Sequence, residues 1–350
     1  MAITDVREAI AWQARHSEEA GAPRTARVIR AELAILDTAT ETGRRMADWP
    51  GLSLADAMPL RIAGGLHWLH LSGTDSRLAP VYDGSLTEQA AIDAIVAELA
   101  TEYDDILSLW LDGPPQTNEA GRSASVMAAL LWLSGRAGSK FELIEIGASA
   151  GVNTMMERYF YDLGGTRAGP AASPMRIVPE WGGPPPPQAP VEIVAVRGCD
   201  VAPVDLTDPA EALRLKAYVW ADAGERMARL DTAIALARQV PPDLVQMDAA
   251  VFVRERLAQR QEPAVARVLF HTVMWQYLPE PTRAAIEAAM AEAGAEAAPE
   301  RPLAWISLET NRATFRHELT VRHWPGGAEP VLLATAHPHG AWVEWRGADD

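Results

Sequence analysis

The 350 residues carry 31 basic and 47 acidic side chains, a net charge of -16, and 48% of them are hydrophobic. That is room for two modest domains or one elaborated domain with a sizeable core, behind a surface that repels phosphate backbones and anionic headgroups, so neither nucleic acid nor membrane is an expected partner. The single cysteine, Cys199, forms no internal disulfide, the opening stretch is charged throughout, and no apolar run approaches the roughly 20 residues of a spanning helix, which together predict a cytoplasmic protein.

From the start to about residue 138 the pattern is helical, with three-to-four spacing in segments such as "AAIDAIVAELATEYDDILSLWL" and breaks at "WPGLS", "LSGTDSRLAP" and "DGPPQTN". No strand is expected there. His67 and His70 in "GGLHWLHLSG" share one helical face, a pattern more typical of hydrogen-bonded structure than of a ligand set. In "QTNEAGR", Gln116, Asn118, Glu119 and Arg122 follow two prolines. Thr117 or Asn118 can cap a helix there, and the same polar groups also suit the mouth of a substrate pocket.

The texture changes after Lys140, where short Ile- and Val-rich runs alternate with helical segments, the order that builds a parallel sheet covered by helices. The expected strands are 141–146, 191–196, 243–247, 266–271 and 303–308, with "EPTRAAIEAAMAEAGA" as a crossover helix between the last two. The stretch 164–190 holds four consecutive prolines and reads as a long insertion without regular elements, either a surface loop or a lid. Beyond residue 312, alternation around Pro-Gly-Gly and His-Pro-His-Gly predicts antiparallel strands closing the sheet. The expected division is therefore a helical domain over 1–138 and an α/β domain over 139–350.

"EIGASAG" places Glu145, Gly147 and Gly151 between the first strand and what reads as a helix. Glycine permits a sharp reversal and close approach of a ligand, and a helix start offers free amides. A dinucleotide turn wants glycine where Ser149 stands, which disfavours a nicotinamide enzyme. The pattern is closer to the acid-x-Gly-x-Gly-x-Gly turn of class I S-adenosylmethionine-dependent methyltransferases, and "RGCDVAPVD" resembles their second strand end. That likeness implies cofactor contacts from Glu145, Gly147, Ser149, Gly151, Asp200, with ribose on its carboxylate, and Asp248, with adenine beside it. Asp248 equally suits a helix cap before "AAVFVRERLA".

"VLFHTVMWQYLP" resembles the strand and turn that face the methyl group in those enzymes. His271 and Tyr277 are the expected catalytic residues, Trp275 is an expected substrate contact, and the aromatic faces can hold a methylsulfonium by cation-π attraction; Trp275 and Tyr277 equally suit packing against the next helix. His337 and His339 flank a proline and read first as a plain turn; His339 is also a candidate substrate contact, and no metal site is expected.

"QTNEAGRSA", "EIGASAGVN", "MERYFYD", "RGCDVAPVDLTDPAEALRLKAYVW", "ERMARLDTAIALAR" and "HPHGAWVEW" together resemble the bacterial family catalogued as domain of unknown function 2332. The resemblance implies a Rossmann-like, methyltransferase-type α/β domain, mostly parallel, behind a helical N-terminal part. S-adenosylmethionine is the implied cofactor and a small molecule the methyl acceptor. The competing expectation is a non-catalytic protein that keeps the fold and binds a metabolite or partner.

Overall fold

The computed structural model describes residues 5–50 and 56–347, so the first four residues and part of the "WPGLS" break lie outside the described residues. The chain forms two compact units, residues 1–117 with 208–228, and residues 118–207 with 229–350. The division therefore falls at 117/118 rather than at 138/139, and the segment 208–228 belongs with the helices. The physical reason lies in the helix Ser123–Ala137, where twelve residues are buried. A helix apolar on nearly every side must be enclosed, and this one packs within the sheet unit.

The helical unit contains Val6–Glu19, Pro23–Ala31, Met58–Leu71, Gln89–Glu102 and Pro209–Ala217 among its helices. Side chains start several of them: Asp5, Glu88 and Asp208 each accept amides of the first turn, satisfying donors that have no partner within the helix. Ile10, Ile29, Ile62, Leu66, Val96 and Leu99 form the core. His67 is buried and pairs through Nδ1 with the Ala217 carbonyl at 3.2 Å. Burial holds its pKa down at about 4, so the ring is neutral near pH 7.

The sheet unit carries β1 (Lys140–Ile146), β2 (Phe160–Leu163), β3 (Thr166–Ala168), β4 (Arg176–Ile177), β5 (Glu180–Gly182), β6 (Glu192–Asp200), β7 (Leu244–Gln246), β8 (Ala266–Thr272), β9 (Leu303–Asn311), β10 (Arg316–Trp324), β11 (Gly327–Ala336) and β12 (Trp342–Trp345). Nine of these form one mostly parallel sheet in the order β5-β12-β11-β10-β9-β8-β1-β6-β7, and β3-β2-β4 form a small second sheet. The five strands β7-β6-β1-β8-β9 are all parallel. Numbered as they occur along the chain, they run third, second, first, fourth, fifth, a doubly wound order whose reversal lies between β1 and β8. Ile144, Ile146, Cys199 and Leu269, with Ile286 and Met290 of the helix Glu280–Glu296, form one hydrophobic cluster of its core.

Two expectations change. The chain does not leave β1 as an α-helix: Asn153–Arg158 is a six-residue 3₁₀ segment that runs into β2. The insertion at 164–190 is also more ordered than its prolines suggest, since it contributes β3, β4 and β5. β5 pairs in parallel with β12 at the edge of the large sheet. Prolines fit at such an edge because their missing amide costs no internal ladder bond. Thr166 Oγ1 and Trp181 Nε1 donate to the carbonyls of Pro186 and Pro184, pinning the proline run.

Candidate functional site

The bend after β1 is built from three residues in left-handed conformation, Gly147 (φ +66°), Ser149 (φ +51°) and Gly151 (φ +70°). Four of its amides are committed within the protein. Ala148 N donates to the Cys199 carbonyl, Ser149 N to Asp200 Oδ2 at 2.9 Å, Gly151 N to the Ala148 carbonyl, and Val152 N to Asn118 Oδ1 at 2.7 Å. The expected cradle of free amides is therefore not what this sequence makes. With no α-helix behind the bend and an acceptor already on each of these donors, a phosphate would find few of the hydrogen bonds such turns normally supply.

The bend is also covered. A Cβ on Gly147 would come within 2.6 Å of Met274 Cε, and one on Gly151 within 2.8 Å of Pro242 Cβ. Glycine is required at both positions by backbone conformation and by closeness of packing. Gly198 of the "RGCD" stretch has the same purpose from below, because a Cβ there would lie 2.8 Å from Ala148 Cβ and from Leu244 Cδ2.

Beneath the bend the chemistry is different. Glu145 is only 1% exposed, and its Oε2 has no hydrogen-bond partner among the described residues. Burial raises its pKa well above the usual carboxyl range. Asn153 and Arg122 pull the other way, and Asp200 adds to the rise. Asn153 lies near enough to act on the carboxyl, yet both of its side-chain polar atoms, and the Ser149 hydroxyl, lack partners among the described residues. Buried polar atoms normally have partners, so such a group of orphans marks a place where a polar ligand would be held.

The other expected cofactor contacts have structural partners. Asp200 gives Oδ2 to Ser149 N and Oδ1 to Ala202 N, both at 2.9 Å. Asp248 caps the helix Ala249–Ala258, with Oδ1 accepting from Ala250 N at 2.9 Å and Val251 N at 3.1 Å.

A family model described as an uncharacterized protein conserved in bacteria (DUF2332) matches residues 7–345. The chain belongs to this family. No curated protein and no solved structure matches it. Hydrogen bonds join several of the family-like stretches to one another. In "QTNEAGR", Glu119 Oε1 accepts from Gly121 N at 2.9 Å and from Arg229 Nε of "ERMARLD" at 2.7 Å. Arg122 donates from Nε to the Pro338 carbonyl of "HPHG" at 2.7 Å and from Nη1 to the Thr272 carbonyl at 3.4 Å. Gly121 and Gly340 meet backbone to backbone: a Cβ added to Gly121 would lie 2.7 Å from the His339 carbonyl oxygen and 3.2 Å from Gly340 Cα. Of the expected substrate residues, Asn118, Glu119 and Arg122 thus gather with the His339 turn at the carboxyl edge of the parallel strands. Gln116 belongs to the helical unit.

His337 and His339 form a turn, with the His339 amide donating to His337 Nδ1 at 3.1 Å. No metal-binding group of three ligands occurs among the described residues. At the same edge a cavity of about 710 Å³ opens between β10, β11 and β12, lined by Phe315, Arg316, His317, Pro338, Trp342 and others. His317 is held below its ordinary pKa by burial and by Arg122.

His271 closes β8 and is 1% exposed. Its Nδ1 lies 2.7 Å from Glu309 Oε1, and Trp275 stacks on its ring at 4.9 Å. Tyr277 stands apart, 59% exposed. Sequence reasoning missed Glu309, Met274, Asn153 and Arg229. Glu309 had one available signal: it ends the fifth parallel strand, on the rim where Glu145, Asp200 and His271 end theirs. Among the described residues no helix is long and apolar enough to cross a membrane.

Proposed function

We propose that this chain binds S-adenosylmethionine at the bend after β1, in a Rossmann-like methyltransferase-type fold, and transfers its methyl group to a small molecule. The observation that carries this reading is the buried Glu145 carboxyl, with a partnerless Oε2, at the reversal of a doubly wound strand order. A ligand ammonium would neutralise a carboxylate at a position where burial otherwise penalises the charge. The committed amides of the bend argue against a pyrophosphate and leave an amino-acid-bearing nucleoside as the better match.

In this reading Glu145 and Asn153 hold the amino-acid end. Asp200, fixed by two backbone amides, keeps lone pairs for ribose hydroxyls, and Asp248 has Oδ2 outside its capping bonds. The cofactor, when bound, supplies an electrophilic methyl on sulfur. The chain's own contribution is alignment of an acceptor, with Arg122 and Glu119 at the rim, exclusion of water by the Met274 segment, and proton removal at His271 Nε2 where the acceptor needs it.

One observation favours a second reading. Met274 rests on Gly147, so a cofactor would have to displace it. A protein that keeps this fold and binds a metabolite at the 710 Å³ cavity would have no need of an open bend. Titration calorimetry with S-adenosylmethionine and S-adenosylhomocysteine separates the two. Binding that weakens in Glu145→Gln supports the first, and no heat with either compound at millimolar concentration supports the second.

A further inference from the structure

β8 and β9 run side by side with His271 opposite Ser307, which brings the end of β9 against the segment leaving β8. There one oxygen, Glu309 Oε1, meets two nitrogens: His271 Nδ1 at 2.7 Å and the Met274 backbone amide at 3.0 Å. The amide can only donate, and a carboxylate oxygen that accepts it accepts from an Nδ1–H as well. That bond selects the tautomer with the proton on Nδ1 and the lone pair on Nε2. His271 Nε2 is buried and has no partner among the described residues. Trp275 lies nearly parallel to the imidazole, with 17° between the planes, and Trp305 meets it edge-on at 6.0 Å, so the ring is held in one orientation.

The same oxygen anchors the cover of the bend. Val273, between His271 and Met274, has φ +53°, a left-handed conformation costly for a β-branched residue. Met274 packs on Gly147, and the following turn Trp275–Tyr277 contains no buried residue. A short segment with a strained start and little burial is therefore held at its head by Glu309.

We propose that Glu309 is a positioning residue: it presents His271 Nε2 as a proton acceptor and, through the Met274 amide, holds Met274 over Gly147. This deepens the proposed function and rests on it for the identity of the second substrate, an acceptor whose O–H or N–H must ionise. In that step the acceptor's O–H or N–H bond breaks, its electron pair stays on the acceptor atom, and the proton joins Nε2. The resulting imidazolium is balanced by the Glu309 carboxylate.

The test is long-range proton–nitrogen NMR of ¹⁵N-histidine-labelled protein near pH 8, with His271 assigned by loss of its signals in His271→Gln. The expected spectrum has a protonated Nδ1 and an unprotonated Nε2; a proton on Nε2, or on both nitrogens, overturns the proposal. In Glu309→Leu the proton is expected to shift toward Nε2 and the Met274 methyl signal, assigned through Met274→Leu, to move. Glu309→Gln, which still offers an acceptor oxygen, is expected to restore both. Unchanged tautomer and methyl signals in Glu309→Leu would overturn the proposal too, and the wild-type spectrum decides the case should that variant not fold. None of these readouts involves S-adenosylmethionine, so a failure of cofactor binding leaves them interpretable.

Discussion

Asp200 Oδ2 accepts the Ser149 amide at 2.9 Å, so the carboxylate that ends the second parallel strand clamps the bend that ends the first. Its Oδ1 accepts the Ala202 amide at the same distance. Asp200→Ala removes two charge-assisted bonds and is expected to cost about 1–3 kcal/mol. Asp200→Asn, which keeps one acceptor, is expected to cost less. Urea denaturation of the three proteins measures this; equal stabilities would mean the clamp contributes nothing.

Glu145 gives stability a defined pH dependence. Burial raises its folded pKa above the unfolded value, so the folded state binds the proton more tightly. Its contribution is fully present below the unfolded pKa of about 4.3 and is lost as pH rises through the folded value. Glu145→Gln should therefore melt higher than wild type at pH 8 and near it at pH 4. A variant that melts lower at pH 8 would show that the carboxylate is compensated in a way the structure does not display.

His67 carries the opposite sign. Its folded pKa, about 4, is depressed below the ordinary 6.5, so the unfolded chain binds the proton first. Stability from this group is present above pH 6.5 and is lost as pH falls toward 4, by up to about 3 kcal/mol at the 1.36 kcal/mol per pKa unit that linkage sets. In His67→Gln the melting temperature should fall less steeply between pH 6.5 and pH 4. Identical slopes in variant and wild type would assign the acid loss to other groups.

Gly147 and Met274 should be coupled. Gly147→Ala places a methyl 2.6 Å from Met274 Cε at φ +66°, and is expected to cost more than about 1 kcal/mol. Met274→Ala relieves the clash but not the strain, so the double variant should recover part of the loss, a coupling of about 0.5–3 kcal/mol. Strict additivity in denaturant titrations would place Met274 elsewhere in solution. On the proposed reading, Met274→Ala also binds S-adenosylmethionine more tightly than wild type, which calorimetry checks.

Much of the fold was legible because strands β1, β6, β7, β8 and β9 are short apolar runs bounded by polar turns; β1, β8 and the first half of β9 are largely buried, as parallel strands covered on both faces are, while β6 and β7 are more exposed. The closing antiparallel strands announced themselves by alternation around Pro-Gly-Gly. The strands at 176–177 and 180–182 did not, because an edge strand of two or three residues among prolines has no periodicity to detect. The 3₁₀ segment after the bend was misread for a related reason: "NTMMERYF" has helical propensity, and tertiary burial of Met155, Met156 and Tyr159 overrides it. At the candidate site, Glu145 and His271 stood out as polar residues ending apolar runs. Met274 and Asn153 did not, since a methionine over a glycine and an asparagine under a carboxyl are matters of distance between segments far apart in sequence.

Calorimetric titration of the wild-type chain with S-adenosylmethionine, run beside Glu145→Gln, decides whether the buried carboxyl holds this ligand. One site per chain is expected, with a Kd in the roughly 1 μM to 1 mM range of ordinary enzyme ligands, and at least tenfold weaker binding, about 1.4 kcal/mol, in Glu145→Gln. Wild-type affinity in the Glu145→Gln variant, or no binding by the wild-type protein at millimolar ligand, would contradict it.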